Sequence, residues 1–232
     1  MSLGPDLAHV AFHSLHSFIC NGRGEKRLPS RDEAVKEMLA SPSPPLFCTF
    51  TSKPPHSSDY ELRGCIGTLR APGHGITLES AIRDYAITAS QHDSRFPPVT
   101  TLEELATLRC GISVLTAEVP ADRWDAWTIG VNGITIDFVD CGNRYSATYL
   151  PEVAEDMCWT KLEAISSLIS KAGYRGAGSN GTRGGRRDFV VDDAWLEKKH
   201  LNLKTYESRK SGPVSWSEFL AYCNSGSRLS CP

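Results

Sequence analysis

The chain reads as an α+β protein: a largely antiparallel sheet or sheets with helices packed on the faces, organised as one domain over residues 1–232 or as two closely packed lobes. Three observations predict this. Helical and strand-like periods come in groups instead of a regular strand-helix repeat. The turn pairs Asn132-Gly133 and Gly142-Asn143 bracket alternating apolar residues, as hairpins do. With 40% hydrophobic residues in 232, the chain can bury a substantial core.

Leu7, Val10, Ala11, Leu15 and Phe18 recur at helical spacing, so 5–20 is an amphipathic helix closed by Asn21-Gly22. Ser30 and Glu33 form a capping box for a second helix, which the prolines at 42, 44 and 45 stop. Strands at 46–52 and 60–69 follow and read as partners across a polar loop. Residues 77–90 return to helical period, with Leu78, Ile82, Tyr85 and Ala89 on one stripe, until the prolines after Phe96 break it. Thr101 and Glu104 cap a short helix, and a strand at 109–117 leads to Trp124 and Trp127. The strand carrying Ile134, Ile136 and Phe138 should pair with 144–149. Thr160 and Glu163 box the start of a helix over 160–172 that Gly173 ends. A short strand around Leu201 and Leu203 precedes a helix capped by Ser215 and Glu218, and 224–232 reads as a disordered tail.

Composition narrows the function. A formal net charge of -2 argues against a globally basic nucleic-acid binder. No long apolar run is present, which predicts an intracellular protein of the cytoplasm, the nucleus or both. The eight cysteines contain no Cys-x-x-Cys pair, so neither a zinc ribbon nor a thioredoxin-type motif is written here. Cys48 and Cys110 alternate like core strand residues. His9, His13 and His16 have ligand-compatible spacing, but no carboxylate shares their face, and an exposed polar stripe explains them better; no metal and no cofactor are predicted. Residues 176–181 satisfy a dinucleotide-binding pattern yet follow a helix end, where the fingerprint needs a preceding strand. The stretch 175–188, with Arg175, Arg183, Arg186 and Arg187, reads as a flexible surface loop.

The most informative segment is Glu61 to Leu69, in which Gly64 and Gly67 flank Cys65. Glycine inside a strand forfeits packing and marks a bulge or a close approach. Strand alternation puts Arg63, Cys65 and Gly67 on one side, and a cation beside a thiol favours the reactive thiolate. The alternative is a small core residue, with the glycines making room for a crossing helix.

Leu62-Arg63-Gly64-Cys65-Ile66-Gly67-Thr68 resembles the signature of the AMMECR domain family. Asp93-Ser94-Arg95-Phe96-Pro97-Pro98, Val131-Asn132-Gly133-Ile134 and Ala147-Thr148-Tyr149-Leu150-Pro151-Glu152-Val153 are similar to its later motifs, in order, and the resemblance runs to about Tyr222. It implies a fold but no established biochemical activity. It also implies association with Memo-like and radical S-adenosylmethionine proteins.

Arg63, Gly64, Cys65, Gly67, Asp93, Arg95 and Glu152 are thereby the candidate site. If they converge, Cys65 is a nucleophile, Glu152 or Asp93 an acid/base, and Arg63 and Arg95 hold an anion, with Gly64 and Gly67 giving access. Structural ion pairs of Arg63 with Glu152, or Arg95 with Asp93, are the competing explanation. His92 is a further candidate base for Cys65. Two functions follow: a cysteine-centred enzyme or small-anion-binding protein, and a scaffold that docks a protein partner through Trp124 or Trp127 or, less favoured, a nucleic acid through the arginine-rich loop.

Overall fold

The computed structural model describes residues 3–4, 6–21, 32–54, 57–175 and 191–226. In chain order these form α1 (Asp6–Ile19), α2 (Glu33–Ala40), β1 (Leu46–Ser52), β2 (Glu61–Thr68), α3 (Leu78–Gln91), α4 (Leu102–Leu105) and β3 (Leu108–Leu115). Next come β4 (Val119–Pro120), β5 (Asn132–Asp140), β6 (Asn143–Tyr149), α5 (Pro151–Asp156), α6 (Lys161–Lys171), α7 (Asp193–Lys198), β7 (Asn202–Ser215) and α8 (Trp216–Gly226). The chain is α+β, its strands antiparallel and its helices packed on sheet faces, as the grouped periods predict. It divides into two compact units, one of residues 1–115 and 209–232, the other of 116–208.

In the first unit β1 lies between β2 and β3, with β2 outermost. One face of β1 and β3 carries Cys48, Phe50, Cys110 and Ile112, packed with Leu7, Phe12 and Leu15 of α1 and Ile82 and Ala86 of α3. Both cysteines are therefore core residues, as their alternation predicts. The three histidines of α1 correct their expected exposure: His9, His13 and His16 are buried. His9 stacks on Tyr222 and His16 on Trp216, which seats α8 on α1, and His13 meets Arg83 of α3 at 3.2 Å. An imidazole has an apolar ring body, so it can face a core when its partners are aromatic.

In the second unit β5 pairs with β6 on one side and with residues 202–207 of β7 on the other. Ile134, Ile136 and Phe138 face Ala164, Ile165, Leu168 and Ile169 of α6. The hairpin turn is Cys141-Gly142, both with positive φ, one residue before the expected pair. The capping box at Thr160 and Glu163 is formed, and Ser215 and Glu218 exchange the matching bonds ahead of α8. Trp127 is buried and Trp124 half-buried.

The helix α2 starts at Glu33 with Asp32 as its cap, and Ser30, read as the cap residue, lies outside the described residues. Most of the 175–188 stretch and most of the 224–232 tail also lie outside them. The short strand expected near Leu203 is a 14-residue strand, because Thr205, Tyr206 and Glu207 continue the ladder with β5 through polar, poorly alternating sequence. Among the described residues no helix is long and apolar enough to cross a membrane.

Candidate functional site

The site begins with an interruption of β2. Thr51 pairs with Leu62 and Phe50 with Gly64, so Arg63 is an extra residue, a β-bulge that breaks the strand's alternation. The bulge redirects Arg63: its guanidinium bonds Glu104 of α4 at 2.8 Å and the Pro97 carbonyl at 2.8 Å instead of standing beside the sulfur. Glu104 is thereby diverted from the capping role its spacing from Thr101 suggests; Thr101 caps the Glu104 amide, but the carboxylate goes to Arg63. The Nη1 of Arg63 is buried and has no hydrogen-bond partner among the described residues.

Gly64 makes the crossing of α3 feasible. A Cβ there would lie 2.2 Å from the Ala89 carbonyl oxygen, so only glycine lets the last turns of α3 approach. At Gly67 a Cβ would meet Phe47 at 2.6 Å and the Leu46 carbonyl oxygen at 2.2 Å, so the phenyl ring of Phe47 covers this position and the glycine does not open a path to the sulfur.

Because α3 ends against Gly64, the next residues reach the outer edge of β2. Asp93 is buried and accepts four hydrogen bonds: from the Cys65 amide at 2.8 Å, the Arg95 amide at 3.2 Å, Arg95 Nε at 2.9 Å and Arg95 Nη2 at 2.7 Å. Arg95 Nη2 also donates to the Cys65 carbonyl at 3.3 Å. Both peptide groups of Cys65 therefore point away from β1 and are held by one ion pair. Arg95 and the Cys65 amide keep the Asp93 carboxyl well below the usual carboxylate range, the guanidinium contributing most. The guanidinium carbons of Arg95 and Arg63 both lie within 6 Å of the Phe96 ring centre, at 5.4 and 5.9 Å.

Cys65 is paired with Thr49 across β1 and β2, with its own peptide groups turned outward. Such pairs bring side chains close, and the Thr49 hydroxyl donates to the sulfur at 3.2 Å. Burial pushes the Cys65 thiol up from its ordinary value; the Thr49 hydroxyl partly offsets this, and Arg95 and Asp93 act in opposite directions. At neutral pH the group is a protonated, half-buried thiol. Thr49 in turn pairs with Gly111 of β3, so Cys65, Thr49 and Gly111 form one row across three strands on the face opposite the helices.

Four of the charged and thiol residues expected to converge, Arg63, Cys65, Asp93 and Arg95, come together in the first unit. Arg95 pairs with Asp93, one of the two ion pairs foreseen, whereas Arg63 pairs with Glu104. His92 is exposed at the end of α3 and makes no side-chain hydrogen bond to a described residue. Glu152 belongs to the second unit, in the first turn of α5 after Pro151. There the Tyr206 phenol, pushed up to about 12 chiefly by burial and further by the Glu152 charge, bonds the Tyr149 carbonyl at 3.0 Å and packs where a Gly133 side chain would be. Thr49, Glu104 and Phe96 escape the sequence reading: Glu104 looks like a cap residue, and Thr49 stands out only as the polar neighbour of Cys48. Among the described residues no cluster of three or more His, Cys, Asp or Glu could hold a metal ion.

These features define an α+β protein whose ordered motifs build a charged cluster on an outer strand. The AMMECR1 family model matches residues 8–184, and the chain belongs to that family. It is 39% identical over 180 residues to an uncharacterized protein of Arabidopsis thaliana, covering 77% of this chain and 74% of that one. It is 43% identical over 133 residues to an uncharacterized protein of Schizosaccharomyces pombe, covering 57% and 65%. The crystal structure of an uncharacterized protein from Pyrococcus horikoshii shares the fold, with a TM-score of 0.61, 24% identity and 89% of each chain covered.

Proposed function

We propose that the first unit binds a small ligand carrying a carboxylate or phosphate group at the Arg63–Cys65–Arg95 cluster. The observation that carries this reading is the Arg95 guanidinium, 54% exposed, with its Nε and Nη2 fixed by Asp93 and the Cys65 carbonyl. A guanidinium pinned along one edge is pre-organised to donate its remaining N–H groups to a carboxylate or phosphate oxygen. Arg63 and Arg95 already face Glu104 and Asp93, so the four charges cancel, and recognition rests on directed hydrogen bonds more than on net charge. Asp93 holds the backbone of Cys65 and presents the thiol, and the protonated sulfur serves as a neutral neighbour to the ligand.

Titration of the full 15N-labelled chain with acetate and with inorganic phosphate tests this. At least one is expected to shift the Cys65 amide and the Arg95 Nε signal saturably. Arg95→Lys keeps a cation for Asp93 but removes the planar fork, and it should weaken binding about tenfold or more. Absence of saturable shifts around 63–96, or equal affinity in Arg95→Lys, overturns the proposal.

A further inference from the structure

Beyond Cys65 the outer edge of β2 changes from closed to open. The register from Cys65 to Thr68 is unbroken, so Gly67, two residues on, repeats the Cys65 arrangement and turns its peptide N–H and C=O away from β1. β2 is outermost in the sheet, and neither group bonds a described residue. At Cys65, by contrast, Asp93 accepts from the amide and Arg95 Nη2 donates to the carbonyl. A strand added antiparallel along this edge would run from Thr68 toward Cys65 and stop there. The stop carries a cation. Arg95 uses Nε and Nη2 for Asp93 and the Cys65 carbonyl, its Nη1 bonds no described residue, and only Ile66 separates the carbonyl it caps from the Gly67 amide.

We infer that the anion held at Arg95 is the C-terminal carboxylate of an extended peptide whose last residue pairs with Gly67. One carboxylate oxygen accepts from the Gly67 amide and the other from Arg95, while the last residue's own N–H donates to the Gly67 carbonyl. An interior peptide segment does not fit, because its chain would have to continue through Arg95. Paired residues share a face, and the ring of Phe47 fills the space over Gly67, with its Cγ 2.6 Å from where a Cβ would lie. That half-buried ring neighbours the peptide's last side chain, which suits an apolar residue such as leucine. This inference rests on the proposed anion site and names its ligand class.

NMR titration of the full-length chain compares acetate and inorganic phosphate with three peptides: acetyl-Ala-Ala-Leu as the free acid, its C-terminal amide, and the acid N-methylated at leucine. The free acid should bind at least about tenfold more tightly than acetate, through the added backbone bond and the leucine side chain. It should shift the Gly67 amide as well as the Cys65 amide. Amidation should weaken it about tenfold or more by removing the charge, and N-methylation about fivefold or more by removing the donor to Gly67. These comparisons alter the ligand alone, so they do not depend on a variant that folds. Acetate or phosphate binding without tighter binding of the peptide acid, an unshifted Gly67 amide, or indifference to amidation or N-methylation overturns the inference while the anion site stands. Failure of acetate, phosphate and the peptide acid all to bind, or binding indifferent to Arg95→Lys, overturns the anion site and this extension together.

Discussion

Asp93→Asn is the sharpest test of the cluster's architecture. Each carboxylate oxygen of Asp93 serves two donors: Oδ1 takes the Arg95 amide and Nε, and Oδ2 takes the Cys65 amide and Arg95 Nη2. An asparagine keeps one oxygen and offers an NH2 at the other position, so in either orientation two N–H donors face a third. Arg95 is 54% exposed, so water relieves much of the loss on its side. The Cys65 amide, covered by the buried Asp93 carboxyl, has less of this relief. One buried donor left unsatisfied and one weakened charge-assisted bond together give about 2–3 kcal/mol. The assay is urea unfolding at pH 7 with amide hydrogen exchange at Cys65. Unfolding free energy should fall by that amount, and Cys65 protection by about 30-fold or more. The pH dependence has a definite sign: the folded carboxyl lies below its unfolded value, so its stabilisation is complete above about pH 5 and declines as pH falls toward the folded value. Wild type and variant should therefore differ by a constant amount from pH 5 to 8 and converge in acid. A loss under about 0.5 kcal/mol with unchanged Cys65 exchange would refute the clamp.

Gly64→Ala drives a methyl group into the backbone of α3 at Ala89, which no rotamer change can relieve, and should cost about 2–3 kcal/mol in thermal or urea unfolding; an unchanged midpoint would show that α3 is free to retreat. Iodoacetamide labelling of the folded wild type at pH 7.5, read by peptide mass spectrometry, should modify Cys65 more slowly than the exposed Cys141 and Cys158. Faster labelling of Cys65 would favour thiolate chemistry at this sulfur.

The elements were legible wherever period and caps agreed. The helix at 161–171 announces itself by Thr160, Glu163 and an apolar stripe, and α3 by its stripe of Leu78, Ile82, Tyr85 and Ala89. β7 was not, because a strand that alternates weakly and carries Lys204, Arg209 and Lys210 shows no two-residue hydrophobic period. The site was half legible. Asp93, Arg95 and Cys65 could be named, but their contacts depend on a bulge one residue long, and nothing in Leu62-Arg63-Gly64 states that Arg63 is the unpaired residue. The same bulge is why Arg63 found Glu104, 41 positions away, a partner that no local spacing reveals. Burial of His9 and His16 likewise depends on α8 supplying Tyr222 and Trp216 from the far end of the chain, and His13 meets Arg83 of α3.

An outermost strand ordinarily advertises hydrogen-bonding groups that a neighbouring molecule can borrow, and self-association by strand addition begins there. On β2 the two groups of Cys65 that would accept such a guest are already occupied by a carboxylate and a guanidinium from the same chain. The motif therefore guards against polymerisation at the place where glycines flank the cysteine, and a variant that loses Asp93 should reveal it as concentration-dependent turbidity well below the melting temperature.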